Sequence, residues 1–334
     1  MPIDFVLANY SDLSFRSAVA VYVLAAVLLV CELAGATTRA TDRAETAREL
    51  VGAGGPSSPP ASVPLVGPTG PGRVQTAPGR PLGDRLGRMG LSLVGLGLVL
   101  HVASLVLRGL SAGRAPWGNM YEFTSLVTAV AVLGTLVMLR KHTVRPLSVF
   151  VLLPVVVLMF IAGTVLYARS APVVPALQSY WLVIHVSVIA TASGVLIVSG
   201  VASLLFLLRR RYSDGVEGTS SLGRFAARLP GAQALDRVAY RTAIFSFPLF
   251  TVGVILGAIW AEAAWGRFWG WDPKEVTAFI TWVVYAAYLH ARATAGWRNT
   301  RAAWINVIGM AVVLFNLFFI NMVVSGLHSY AGLN

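Results

Sequence analysis

Apolar residues along this chain of 334 residues do not alternate with polar ones; they come in long unbroken runs. A helix needs about 20 such residues to cross a bilayer core. Eight runs of that kind are predicted, at roughly 17–35, 86–107, 121–139, 147–167, 181–208, 242–261, 275–290 and 302–323. The fifth is long enough to tilt or to extend past the lipid. No series of short alternating segments suggests a β-barrel. The pattern predicts an all-α, polytopic integral membrane protein with about eight transmembrane helices.

Between the first and second runs the pattern breaks. Residues 52–83 hold eight prolines and eight glycines, a composition that cannot bury enough apolar surface to fold. The chain therefore divides into a peripheral N-terminal helix (1–35), a disordered cytoplasmic linker (36–85) and a seven-helix core (86–334). The first run is expected to be a retained span, since "TTRATDRAETAREL" follows it in place of a small-residue cleavage site.

Charge then orients the bundle. With the N-terminus outside, the inner segments 36–85, 140–146, 209–241 and 291–301 carry 19 of the 26 Lys and Arg residues, and Arg88 lies at the inner base of the second span. Only Arg16, Arg108, Arg114, Arg169, Arg267 and Lys274 remain for the other side. The positive-inside rule selects an N-out, C-out topology. The net charge of +12 is thus topological, and nucleic-acid binding is not expected. The single cysteine, Cys31, lies within the first run and excludes a disulfide framework, a CxxC redox pair and a CxxCH attachment site.

The connections expected outside are short and aromatic: 108–123, 168–181, 261–275 and the tail 324–334. The third contains "WGRFWGWDPKE", Trp265 to Glu275. Part of it is a helix start, with Asp272 as N-cap, Pro273 in the first position and Glu275 three residues after the cap. Tryptophans near headgroups are ordinary interfacial anchors. Yet Trp265, Phe268, Trp269 and Trp271 fall within seven residues, beside Arg267 and Lys274.

Two histidines are expected at that same outer level. His185 lies roughly 6 Å below the boundary of the fifth span at 1.5 Å per residue, and His328 follows the last span. Singly, each reads as a hydrogen-bonded or interfacial residue. As a pair beside a tryptophan-rich loop they fit axial ligation of haem iron, with indoles against the porphyrin and Arg267 or Lys274 at its propionates. His290 is expected roughly 22 Å deeper than Glu275, near the inner end of its helix. His101 falls in the outer half of the second span, and a helix-packing role competes with a functional one for both. His142 lies among cations and reads as solvated. Glu122 and Glu262 are helix-start or hydrogen-bonding carboxylates. No Walker loop, HExxH, GxSxG or CxxC occurs, so ATP-driven transport, proteolysis and thiol redox chemistry lack residues to carry them.

The stretch "WGRFWGWDPKE" resembles the WWD signature, roughly WGxxWxWDxxE, of the haem-handling superfamily of cytochrome c maturation. With "GRAPWGNMYEF", "SYWLVIHV", "VTAFITWVVYAAYLHAR" and "GLHSYA", residues 86–334 look like CcsA/ResC-type proteins (named CcsB in actinobacterial-type chains) of System II cytochrome c biogenesis. The resemblance implies haem b, carried to the outer face of the plasma membrane and held beside the WWD loop 261–275. There it would be presented for thioether attachment to apocytochrome c CxxCH thiols, as one component of a holocytochrome c synthase. His185 and His328 match the two external family histidines, and His290 matches the intramembrane one, whose opposite ligand comes from the partner. Trp265, Trp269, Trp271, Asp272, Arg267, Lys274, Trp117 and Glu122 complete the implied site. No catalytic acid or base is assigned. The implied partners are a ResB/CcsB-type membrane protein, apocytochrome c and a thiol-reducing membrane protein.

Three alternatives stand beside this reading. A System I haem-handling protein works with a periplasmic haem chaperone. A membrane b-type cytochrome needs two histidine pairs stacked across the bilayer, which His101 and His290 do not supply at their depths. A non-haem assembly scaffold would use its tryptophans as interface anchors alone.

Overall fold

The computed structural model describes residues 3–52, 82–138, 147–212, 220–297 and 299–328. Most of the Pro/Gly-rich stretch and the basic loop with His142 lie outside them. Among the described residues every regular element is helical: α1 (Phe5–Gly52), α2 (Leu82–Ala112), α3 (Met120–Met138), α4 (Leu147–Thr164), α5 (Tyr180–Arg211), α6 (Ser221–Ala226), α7 (Ala232–Trp265), α8 (Pro273–Ala293), α9 (Thr300–Leu317) and α10 (Phe319–Met322). A 3₁₀ turn, Pro175–Leu177, precedes α5.

Seven helical stretches among the described residues are long and apolar enough to cross a membrane: Phe5–Ala34, α2, Met120–Val137, α4, α5, α7 and Thr300–Met322. The remaining expected span, 275–290, is the body of α8. That helix has 21 residues, but it carries Lys274, Glu275, His290 and Arg292 together with buried Thr277 and Thr281, so it is less apolar than the other seven. The first helix also differs from expectation in length. It continues to Gly52, through a stretch expected in the linker whose alanines, arginines and glutamates are good helix formers and offset its four threonines.

Helix α1 lies along α2 and against α4, while α5 runs through the bundle in contact with α3, α7 and α9. Small residues set the spacing, as membrane helices require where the hydrophobic effect does not drive association. Gly97 of α2 faces Tyr22 of α1 so closely that a Cβ would stand 2.5 Å from Cε1 of the ring. Polar side chains add specific ties. Asn306 of α9 donates to Ser199 Oγ at 2.8 Å and Ser203 Oγ at 2.7 Å, fixing α9 on α5 in a fully buried seam.

The connections after α2, α4, α7 and α10 meet at one end of the bundle. Arg114 donates to the Ala171 carbonyl at 3.1 Å, and the Trp260 indole N–H to Ala176 O at 3.1 Å. The Leu327 amide donates to Asp272 Oδ1 at 2.7 Å. These are the four segments expected on the outer side, and their convergence forms the walls of a cavity.

Candidate functional site

The cavity has a volume of about 170 Å³ and is partly open at its edge. Its walls come from Trp117, Met120 and Phe123 at and just before the start of α3, from His185 and Ile189 on α5, and from Gly257 and Trp260 on α7. Phe268 and Trp269 of the WWD loop, Lys274 of α8, Asn316 and Asn321 near the chain's end, and His328 complete them. The lining is mostly apolar and aromatic with a few polar groups, the make-up of a small-molecule site.

His185 sits one and a half turns into α5, whose start is fixed by Ser179 accepting from the Trp181 amide at 3.2 Å. Its Nδ1 lies 2.8 Å from the Gly253 carbonyl oxygen of α7. A carbonyl only accepts, so Nδ1 carries the proton and Nε2 is the nitrogen suited to a metal. Gly253 and Gly257 are one turn apart on α7 and let the two helices approach. A Cβ on Gly253 would stand 2.8 Å from Ile189 Cδ1.

His328 is held differently. Its Nδ1 donates to Asp272 Oδ2 at 2.8 Å, and Asp272 Oδ1 accepts from the Leu327 amide. Asp272 is also the N-cap of α8, and the reciprocal contact from Glu275 completes the capping box expected from "WDPKE". Burial pushes the Asp272 carboxyl up, but the His328 hydrogen bond and the amides of Leu327 and Lys274 outweigh it and bring it down to about 2. Burial pulls His328 below its ordinary value, with the Asp272 contact opposing. The pair is therefore a carboxylate facing a neutral imidazole at neutral pH.

Both histidines pack on Trp260, which sequence reasoning did not single out. Its ring stacks on His185 at 6.0 Å and 10°, and meets His328 edge-on at 5.8 Å. Only 2% of it is exposed, which makes it a fixed wall common to both imidazoles. It was overlooked because it falls inside an apolar run. The available signal was Gly253, Gly257 and Trp260 at i, i+4 and i+7, which places the indole on the same helix face as the glycines.

The WWD loop divides its labour. Trp265 packs against Trp260 at 4.8 Å and His328 at 5.1 Å, behind the cavity lining. Trp269 lines the cavity and meets Trp271 edge-on at 5.9 Å. Trp271 is 71% exposed, and at φ 59° it is the one non-glycine with positive φ among the described residues. A bulky residue in that region is held by its surroundings at a cost of about 1–3 kcal/mol. Glu275 supplies the hold, accepting from the Gly270 amide at 2.8 Å and the Asp272 amide at 3.1 Å on either side of Trp271.

The two expected propionate partners also separate. Arg267 is bonded to Glu275 at 3.0 Å and lies over Trp265, while Lys274 lines the cavity, donates to Asn321 Oδ1 and sits over Phe123. Glu122 is fully buried behind the wall, between Arg108 at 3.0 Å and Arg114 at 2.8 Å, and accepts from the Gly118 amide at 2.8 Å. It thereby anchors the segment that carries Trp117.

The other two described histidines lie elsewhere. His290 is exposed near the far end of α8, and His101 is buried between α1, α2 and α3, its Nε2 2.9 Å from Ser125 Oγ. Among the described residues no three His, Cys, Asp or Glu side chains converge as a metal-ion site.

Comparison with known proteins bears on this geometry. Residues 117–328 match the family model described as cytochrome C assembly protein. A cytochrome c biogenesis protein CcsA of Parasynechococcus marenigrum (strain WH8102) is 35% identical over 264 residues, covering 71% of this chain and 85% of the relative. The protein of that name from Guillardia theta is 35% identical over 245 residues, 68% and 80% of the two chains. That of Chlamydomonas reinhardtii is 34% identical over 248 residues, 72% and 68%. The family match opens on Trp117 of the cavity wall and closes on His328, so the site and the homology share their limits: the chain belongs to the cytochrome c assembly protein family and is of the CcsA type.

Proposed function

We propose that this chain holds haem b in the cavity between His185 and His328 and presents it for thioether attachment to apocytochrome c, as the haem-handling subunit of a System II synthase. The observation that carries the reading is that His185 of α5 and His328, beyond α10, both line this cavity and both pack on Trp260. Each has its Nδ1 engaged by a protein acceptor, which fixes ring orientation and tautomer as metal-ligating histidines require. Trp117, Phe268 and Trp269 supply apolar faces for a flat macrocycle, and Lys274 supplies a cation for a carboxylate.

Haem contributes the iron and the vinyl groups to which cysteine thiols add. This chain's own residues bind and orient. The two imidazoles set the cargo's plane, the aromatic wall excludes water from its faces, and Asp272 with Gly253 keeps the imidazoles from turning. No side chain is required as a general acid or base, so the contribution is positioning. The distribution of Lys and Arg supports an extracytoplasmic cavity in a plasma-membrane protein. The exposed ring of His290 suits a second haem contact shared with a ResB/CcsB-type partner.

The test is an optical spectrum of the protein purified in mild detergent, reduced with dithionite and assayed as the pyridine haemochrome. Wild type is expected to carry haem b, and His185→Ala and His328→Ala to lose it or shift its bands, with partial recovery by imidazole. Colourless wild type from haem-replete cells, co-expressed with the partner, overturns the reading.

A further inference from the structure

The two imidazoles of the cavity are not equivalent, and the difference lies in what stands behind them. His185 donates to a neutral backbone carbonyl, Gly253 O, at 2.8 Å. His328 donates to a carboxylate, Asp272, at the same 2.8 Å. Asp272 is only 5% exposed as a side chain and is held on both oxygens, by the Leu327 amide at 2.7 Å and the Lys274 amide at 3.2 Å. Gly326 makes room for it, since a Cβ there would stand 2.6 Å from Oδ1. The carboxylate is therefore clamped in line with Nδ1 and cannot swing to solvent.

Resting on the haem-binding reading above, we infer that Asp272 is a positioning residue for redox poise: its carboxylate strengthens His328 as an iron ligand and biases bound haem toward the ferric state, while His185 remains the weaker, carbonyl-backed ligand. A carboxylate accepting the outer N–H of a ligating imidazole gives the ring imidazolate character and raises its basicity. A more basic axial ligand stabilises ferric over ferrous iron and lowers the reduction potential, second-shell hydrogen bonding being one of the protein's levers on that quantity. The other charges near the pair do not supply the same effect. Glu275 is engaged by Arg267 and by the loop amides, and Lys274 is bonded to Asn321. The same carboxylate starts α8, so the helix that carries the WWD loop and the segment that carries His328 are joined at one residue.

The N-cap role and the ligand role can be separated by substitution. Asparagine caps a helix as well as aspartate does and can still accept from Nδ1, but it removes the charge. In the full chain, Asp272→Asn is expected to fold and bind haem b with a somewhat lowered unfolding midpoint, because the amide NH2 that replaces one oxygen faces the Leu327 N–H. Its preference for ferric over ferrous haem should fall about tenfold, the lower end of second-shell effects, read as a midpoint rise of about 59 mV for one electron. The electron paramagnetic resonance signals of the ferric protein should shift in the same variant. Asp272→Ser, which also caps but is too short to back the ring, should move the potential at least as far and provides the reading if the asparagine variant does not fold. An unchanged midpoint and unchanged ferric signals in folded, haem-loaded Asp272→Asn overturn the inference. If instead His328→Ala leaves wild-type haem content and spectrum intact, the haem-binding reading itself fails.

Discussion

Gly257 lies directly beneath the His185 ring: a Cβ there would stand 2.7 Å from Cε1 and 3.0 Å from Nδ1. The ring packs on one face of α7, over Gly257, with Gly253 as its hydrogen-bond acceptor and the Trp260 indole at 6.0 Å. The position of the imidazole is therefore dictated by the absence of a side chain on the neighbouring helix. Gly257→Ala is expected to push His185 off its hydrogen bond. Because alanine is the better helix former, by about 1 kcal/mol, the fold should survive. Haem content after detergent purification should fall several-fold while the far-ultraviolet circular dichroism is retained. Full haem content with wild-type bands would show that the ring does not need this space.

Trp260 joins the two halves of the site. Trp260→Ala removes a buried indole and its hydrogen bond to Ala176 O, which costs about 3–5 kcal/mol for an aromatic cavity of this kind. Trp260→Phe keeps the wall and loses the hydrogen bond, at about 1 kcal/mol. Thermal unfolding should therefore rank wild type, then phenylalanine, then alanine, and haem content should follow the same order.

Glu122 is the buried counter-charge to two guanidinium groups. Glu122→Gln leaves Arg108, 2% exposed, with only the longer Asp12 contact at 3.8 Å, and is expected to destabilise the protein by about 3 kcal/mol. The loss should spread to the cavity, because the Gly118 amide that Glu122 holds is next to Trp117. Unfolding midpoints measured for the variant and for Glu122→Asp would check this, the aspartate variant recovering part of the loss.

The His328–Asp272 pair predicts acid lability in two stages. Burial lowers His328 below 6.5, so the folded state refuses a proton that the unfolded state takes, and the stabilisation is complete above pH 6.5 and declines as pH falls below it. Asp272 is held down to about 2 from 3.8, so its contribution persists above pH 3.8 and is lost as pH falls toward 2. Thermal midpoints between pH 7.5 and 5 should decrease for wild type and change less for His328→Gln. Equal slopes for the two proteins would remove His328 as the group responsible.

His290 separates the cavity from any second site. It is exposed on α8, so His290→Ala should change stability by no more than about 0.5 kcal/mol. In the isolated chain it should leave the haem content of the cavity unchanged, and any effect should show only in the complex with the partner. Loss of haem from the isolated variant would place His290 in the cavity's function.

The helical membrane architecture was legible in the sequence because a bilayer forces every backbone polar group to be satisfied within its own helix, leaving apolar runs as the signature. The capping box at Asp272 and Glu275 was legible for a similar reason, since it uses residues three apart. The pairing of His185 with His328 could be argued from depth and from resemblance. Its support could not, because the Gly253 carbonyl, the space over Gly257 and the Trp260 wall all come from helix α7, far from either histidine in sequence. Arg267 and Lys274 looked alike as outer cations, and only packing turned one toward Glu275 and the other toward the cavity.

The sequence by itself determined the main elements: which long stretches are helical, where α8 begins, and which connections meet at one end of the bundle. Local rules of length, capping and charge operate within a few residues and leave their mark on the chain. The tertiary structure decided what stands behind each imidazole, a carbonyl for His185 and a carboxylate for His328. Those partners are set by close approach of helices distant in the chain, and close approach depends on where side chains are absent as much as on where they are present.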